Sequence, residues 1–209
     1  MADYRQKIRW AAQDRGIGAL YHFTWGENLP SILQHGFLSR EDLAEAELEH
    51  WYTDDARWDD TAHAISFSID SLNFSMFDAK RRDLRRGWIY LSVSREVLWT
   101  HSCRFCRVNA SSREMRNKSS FLGGPWGFDT MFEDEQEGFT QPQWRRIKYE
   151  IPDNLPTWND AEVQVLDQVD RSLIQCVFVA TERAKEDAET LISKLNLSCA
   201  VEIDDELAR

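Results

Sequence analysis

The sequence predicts one folded domain, residues 1–209, that mixes strands and helices around a single core. Three observations carry this expectation. Of the 209 residues, 42% are hydrophobic, with nine Trp and eleven Phe, which is enough apolar bulk for a core and outside the disordered class. Segments of period two and period 3.6 follow one another with no internal repeat and no linker that would divide the chain. No run of about 18 apolar residues is present, and Met1 to Lys7 lacks the apolar segment of a secretory signal, so the expectation is a cytoplasmic protein without a membrane span.

Taken in order, residues 4 to 15 read as a short amphipathic helix stopped by Gly16-Ile17-Gly18. Ala19 to Phe23 reads as a strand. Thr24-Trp25-Gly26-Glu27 has the spacing of a capping box, which predicts a two-turn helix from Asn28 to His35 that ends at Gly36. Residues 40 to 60 are acidic and helical at first, with Glu41, Asp42 and Glu45 among helix formers. Ala64 to Ile69 alternates cleanly and predicts a strand; Asp70 to Phe77 then turns into a helix that carries the basic run Lys80 to Arg86. Trp88 to Val93 and Cys103 to Val108 are further strands. Gly123-Gly124-Pro125-Trp126-Gly127 predicts a tight loop without the spacing of a dinucleotide fingerprint. Phe128 to Trp144 is acidic, aromatic and helical in part. The turn formers of Ile151 to Trp158 lead into the strand Ala161 to Val165, and Leu173 to Ala180, Glu182 to Leu195 and Ala200 to Ile203 predict a core strand, a covering helix and an edge strand.

Glu162 is the residue that draws attention. Ala161, Val163 and Val165 point to one face of its strand, Glu162 and Gln164 to the other, so the carboxylate stands either in solvent on an edge strand or at the lip of a cleft. His22 fits two readings as well: a satisfied core histidine, or a ring that holds a ligand's ribose or amide by a directional hydrogen bond. Tyr21 points the other way by strand alternation. Arg57, among acids, is either a salt-bridge partner or a fork for phosphate or carboxylate oxygens. His101, Cys103 and Cys106 have no second ligand pair after them, so no metal is expected, and the four cysteines read as free thiols.

Charge is polarised. The net charge is −11, yet the stretch from Lys80 to Lys118 holds eleven Lys or Arg, including Arg81, Arg85, Arg107 and Arg113, against three acids. Such a stripe on an acidic body grips phosphates locally or is a solvated face. Trp126 and Trp158 are either core or stacking platforms for unpaired bases.

Several of these pieces, in this order, resemble the DarT family of DNA ADP-ribosyltransferase toxins: Tyr21-His22-Phe23-Thr24 followed by Glu27 to Leu33 and Gly36; Ile65 to Ile69 followed by Met76; Phe105-Cys106-Arg107-Val108-Asn109-Ala110; and Asp160-Ala161-Glu162-Val163-Gln164-Val165. The resemblance implies an α+β, ADP-ribosyltransferase-like fold with two small packed sheets, flanking helices and a cleft for NAD, which is consumed as a substrate. It implies that Glu162 is catalytic, that His22 anchors NAD with Tyr21, Thr24, Asn28, Phe67 and Met76 around it, and that residues 151 to 160 form the substrate-recognition loop. Arg57 stands nearest to the family's arginine before the second strand. Arg81, Arg85, Arg107, Arg113 and Trp158 are then the residues expected to hold the nucleic acid.

The implied reaction moves ADP-ribose from NAD onto a base of single-stranded DNA, and an enzyme of this kind would need an antitoxin, by resemblance a macrodomain hydrolase. Ile69-Asp70-Ser71-Leu72-Asn73 replaces the family's proline and aromatic pattern after the second strand, which leaves RNA open as the substrate. A protein-modifying transferase and a silent module that binds NAD or nucleic acid are the remaining readings.

Overall fold

The fold was read from a computed structural model, which describes residues 3–52, 63–80, 87–117, 122–134 and 145–208. Arg57, Arg81 and Arg85 lie outside the described residues. Helix α1 (Tyr4–Asp14) buries Ile8 and Ala12 and is followed by β1 (Ala19–Trp25), α2 (Leu29–His35) and α3 (Arg40–Glu45). Then come β2 (Ile65–Ile69), α4 (Phe74–Lys80), β3 (Trp88–Ser94), α5 (Val97–Thr100) and β4 (Cys103–Cys106). Helices α6 (Arg113–Asn117), α7 (Gly124–Thr130) and α8 (Arg145–Lys148) precede β5 (Glu162–Val165), β6 (Ile174–Val179), α9 (Glu182–Lys194) and β7 (Ala200–Ile203).

Among the described residues the strands form one seven-stranded sheet in the order β4-β5-β2-β1-β3-β6-β7. β3, between β1 and β6, is buried from Trp88 to Val93, as a strand covered on both faces should be. Neighbours are antiparallel except β6 and β7, where α9 supplies the crossover that a parallel pair requires. The sheet is nearly two. β1 pairs with β3 along its whole length, from Ala19↔Ser94 to Trp25↔Trp88, but with β2 only at Leu20↔Ile69 and Tyr21↔Ser68. Beyond those two pairs β2 turns its Ile65–Phe67 edge to β5 instead. A four-strand half and a three-strand half thus share one short seam and part from it, as the expected α+β architecture of two small sheets requires.

One apolar cluster joins Ile8 and Ala12 of α1, Leu29 and Leu33 of α2, the inner faces of the strands, and Ala188 and Ile192 of α9. A second, Cys106, Val108, Ala110, Met115 and Leu122, lies under the loop after β4, with Trp158 packed against it. A third gathers Trp25, Phe77 and Trp88. All four cysteines are free, and burial pushes the Cys103 thiol up to about 12 and Cys176 to about 11, so both stay protonated. Among the described residues no helix is long and apolar enough to cross a membrane.

Two local expectations fail for physical reasons. The capping box at Thr24 does not form, because Thr24 and Trp25 are carried into β1 by pairing with β3; a capping box forms instead at Ser39, with Asp42 as its partner. Gly123 to Gly127 is not a loop: Gly124 opens α7 and Pro125 occupies its first turn, where the missing N–H costs nothing.

Candidate active site

Where β1 and β2 part, a cleft of about 270 Å³ opens. His22, Thr24, Asn28, Phe67, Met76 and Glu162 all line it, and Tyr21 borders it. Residues from three separated stretches of sequence therefore meet in one place.

His22 reaches across the gap. Its Nδ1 lies 2.8 Å from the carbonyl oxygen of Ser66 on β2, and since a carbonyl only accepts, Nδ1 carries the proton and Nε2 is left as an acceptor. Loss of hydration holds the ring's pKa below 6.5, partly offset by the Ser66 carbonyl, so the imidazole is neutral at neutral pH. Phe37 and Phe67 pack on the ring at 5.2 and 5.6 Å between centroids. Tyr21 projects to the other face, where its ring meets Tyr90 and Phe178. It borders the cleft with its ring turned away from His22.

Glu162 opens β5 at the rim. Its Oε2 accepts from the Ala110 amide at 3.1 Å, and two residues earlier Asp160 Oδ2 accepts from the Asn109 amide at 3.3 Å. The loop after β4 thereby clips onto both carboxylates. Asn109 stiffens that loop in turn, since its Oδ1 accepts from the Ser111 amide at 2.9 Å and from the Ser111 hydroxyl. Gln164, next on the same face of β5, is wholly buried, so of the two polar side chains on that face only Glu162 reaches the rim.

The opposite wall was not legible in the sequence. Asn28, 9% exposed, donates to Thr24 Oγ1 at 2.9 Å and to the Trp51 carbonyl at 2.8 Å, and accepts from the Trp51 amide at 2.8 Å. Trp25 Nε1 donates to the Tyr52 carbonyl at 2.9 Å. These bonds hold His50, Trp51 and Tyr52 against the cleft, with the Arg40 guanidinium 4.2 Å from the Tyr52 ring. The run His50-Trp51-Tyr52 after an acidic helix was the available signal, but the partners of Trp51 and Tyr52 lie more than twenty residues away.

Residues 151 to 160, the loop before Glu162, are tied down at several points. Arg146 donates through Nη1 to the Leu155 carbonyl at 2.8 Å and to Thr157 Oγ1 at 3.2 Å, and through Nη2 to the Pro152 carbonyl at 2.8 Å. Arg145 Nε donates to the Thr157 carbonyl at 3.1 Å. Asn154 Nδ2 donates to Asp70 at 2.8 Å, and the Thr157 amide to the Met131 carbonyl at 2.9 Å.

The residues expected to hold nucleic acid fare unevenly. Arg113 is exposed on α6. Arg107 is not: it is 9% exposed and its Nε sits 3.4 Å from Glu114 Oε1, because the segment after β4 folds inward over the second cluster. Trp158 packs on that cluster, and the Arg145 guanidinium lies 4.4 Å from its ring. Trp126 is 59% exposed on α7.

Comparisons with known proteins bear on the fold and the family. A search of curated protein sequences finds no match. Among solved structures, Thermus sp. 2.9 DarT in complex with carba-NAD+ is similar with a TM-score of 0.56 at 12% identity, over 91% of this chain and 97% of that one. Thermus sp. 2.9 DarT in complex with ADP-ribosylated ssDNA gives 0.52 at 11% identity, over 92% and 96%. Thermosipho africanus DarTG in complex with ADP-ribose gives 0.52 at 16% identity; this chain is covered to 91% and spans half the length of that one. At these identities the likeness establishes the fold. The family model described as ssDNA thymidine ADP-ribosyltransferase, DarT, matches residues 21–208, and the chain accordingly belongs to the DarT family.

Proposed function

We propose that this chain transfers ADP-ribose from NAD+ to a thymidine base of single-stranded DNA, with Glu162 as the catalytic residue and His22 as the anchor for NAD. The observation that supports it is the convergence of these two side chains, 140 positions apart in the sequence, on the cleft between β1 and β2. The lining suits the ligand: aromatic and aliphatic walls take up a flat ring, and a few placed polar groups set its orientation. His22 offers Nε2 as an acceptor to a hydroxyl or amide of NAD.

NAD+ supplies the ADP-ribosyl group, and nicotinamide leaves with the electron pair of the bond to ribose C1′. Glu162 stabilises the positive charge that builds on the ribose, an interaction stronger in the transition state than before it. As a base nitrogen bonds to C1′, Glu162 takes its proton, which balances the reaction as ADP-ribosyl DNA, nicotinamide and a proton. Ala110 holds one carboxylate oxygen in place throughout, so little reorganisation is needed. A thymidine inside a duplex is stacked and paired, which makes the single strand the accessible substrate.

DNA modification harms the cell that carries it out, so the reading includes a cytoplasmic antitoxin of the macrodomain hydrolase type that removes the modification. Co-expression that restores growth tests this part. The transfer itself is tested with labelled NAD+ and four oligonucleotides: a thymidine-containing single strand, the same strand without thymidine, its duplex, and the RNA equivalent. Label on the first alone is the expected result; label on RNA alone would overturn the choice of substrate.

A further inference from the structure

The basic stripe loses Arg107 to the interior, and Trp158 is covered by Arg145. Another surface has the features those two were expected to supply. Residues Arg145 to Tyr149 place three cations, Arg145, Arg146 and Lys148, beside two large exposed side chains, Ile147 at 70% and Tyr149 at 58%. This stands out on a chain of net charge −11. The Arg145 guanidinium lies 4.4 Å from the Trp158 ring and 5.1 Å from the Tyr149 ring, so Trp158, Arg145 and Tyr149 form a ladder running from the second cluster out to solvent. Lys148 Nζ stands 5.2 Å from the same Tyr149 ring. The ladder is fixed to the loop before Glu162 by Arg145 on Thr157 and by Arg146 on Pro152, Leu155 and Thr157.

We propose that Tyr149, flanked by Arg145 and Lys148, is a subsite for the single strand outside the cleft, in which an unpaired base stacks on the Tyr149 ring and a neighbouring phosphate meets Lys148. This deepens the proposed function and rests on it. An exposed phenol ring has a face that accepts any base, and a nearby cation adds attraction for the backbone. Charge selects this occupant over an apolar partner, since two cations stand within 5.2 Å of the exposed ring's centroid. The inner rungs tie the ring to Trp158 and to the loop before Glu162.

The test compares wild type with Tyr149→Ala, Tyr149→Phe and Lys148→Ala, all at exposed positions, in two assays: transfer to a thymidine-containing single strand of about ten nucleotides, and NAD+ consumption without DNA. Tyr149→Ala is expected to raise KM for the strand about tenfold, since one stacked base is worth roughly that much or more, with NAD+ consumption and melting temperature unchanged. Tyr149→Phe should keep the wild-type KM, and Lys148→Ala should raise it less and flatten its salt dependence. An unchanged KM in Tyr149→Ala, or an equal loss in both assays, would overturn the subsite. A wild type that labels no single strand would overturn the proposed function itself, which is a different result.

Discussion

In the proposed reaction the chemistry rests on the Glu162 carboxylate, whose Oε2 accepts from the backbone amide of Ala110. Glu162→Gln keeps the shape and the contact while removing the charge. The expected outcome in single-turnover transfer is a loss of two to three orders of magnitude, about 3 to 4 kcal/mol of transition-state stabilisation, with NAD+ affinity within about twofold by calorimetry. His22 makes a different prediction. Its folded pKa is lowered from 6.5 by burial, so as pH falls through that value the unfolded chain takes the proton first and the native state loses stability until the ring itself is protonated. Above 6.5 both states are neutral and the contribution is flat. Urea denaturation from pH 8 to 5 should show this decline, and His22→Gln should remove part of it.

Elements decide where these side chains stand. Gly36, at the end of α2, has φ 81°, and a Cβ there would come within 2.3 Å of the Val169 carbonyl oxygen. The close approach lets Phe37 bridge to Val169 and pack on His22. Gly36→Ala should cost about 2 to 4 kcal/mol by denaturation, since positive φ and a backbone clash add. Arg146 acts on the loop before Glu162: Arg146→Ala should lower transfer about tenfold with NAD+ affinity unchanged, and Arg146→Lys should restore little, because one ammonium cannot match a fork that serves three acceptors. The elements themselves were largely legible. Alternation in Ala64 to Ile69 and the Gly36 stop were local signals with local causes. Thr24 misled because its capping-box spacing competes with seven residues of β1 pairing to β3, and pairing between distant strands leaves no trace in a four-residue window.

For the molecule as a whole, the ordered motifs pointed to both His22 and Glu162, which line one cleft, whereas the wall of His50, Trp51 and Tyr52 and the clamp of Arg145 and Arg146 were not visible. Both depend on contacts that the sequence does not announce: Asn28 to Trp51 on one side, Arg146 to Pro152, Leu155 and Thr157 on the other. The charge count showed that the chain is polarised and said nothing of which cations face out; Arg107 turned inward to Glu114, and Arg113 did not. Polarity of this kind still predicts a salt effect. Log KM for the single strand should rise with log salt at a slope of about 1 to 3, near 0.7 for each phosphate contacted, while KM for NAD+ in the absence of DNA should move far less.

The most direct measurement is the intact mass of a thymidine-containing single-stranded oligonucleotide after incubation with NAD+ and either wild type or Glu162→Gln. The gain of one ADP-ribose per modified strand is expected with wild type, and none within the same time with Glu162→Gln. An equal gain with both proteins would contradict the role of Glu162, and no gain with wild type on any single strand would contradict the assignment of the cleft to ADP-ribose transfer onto DNA.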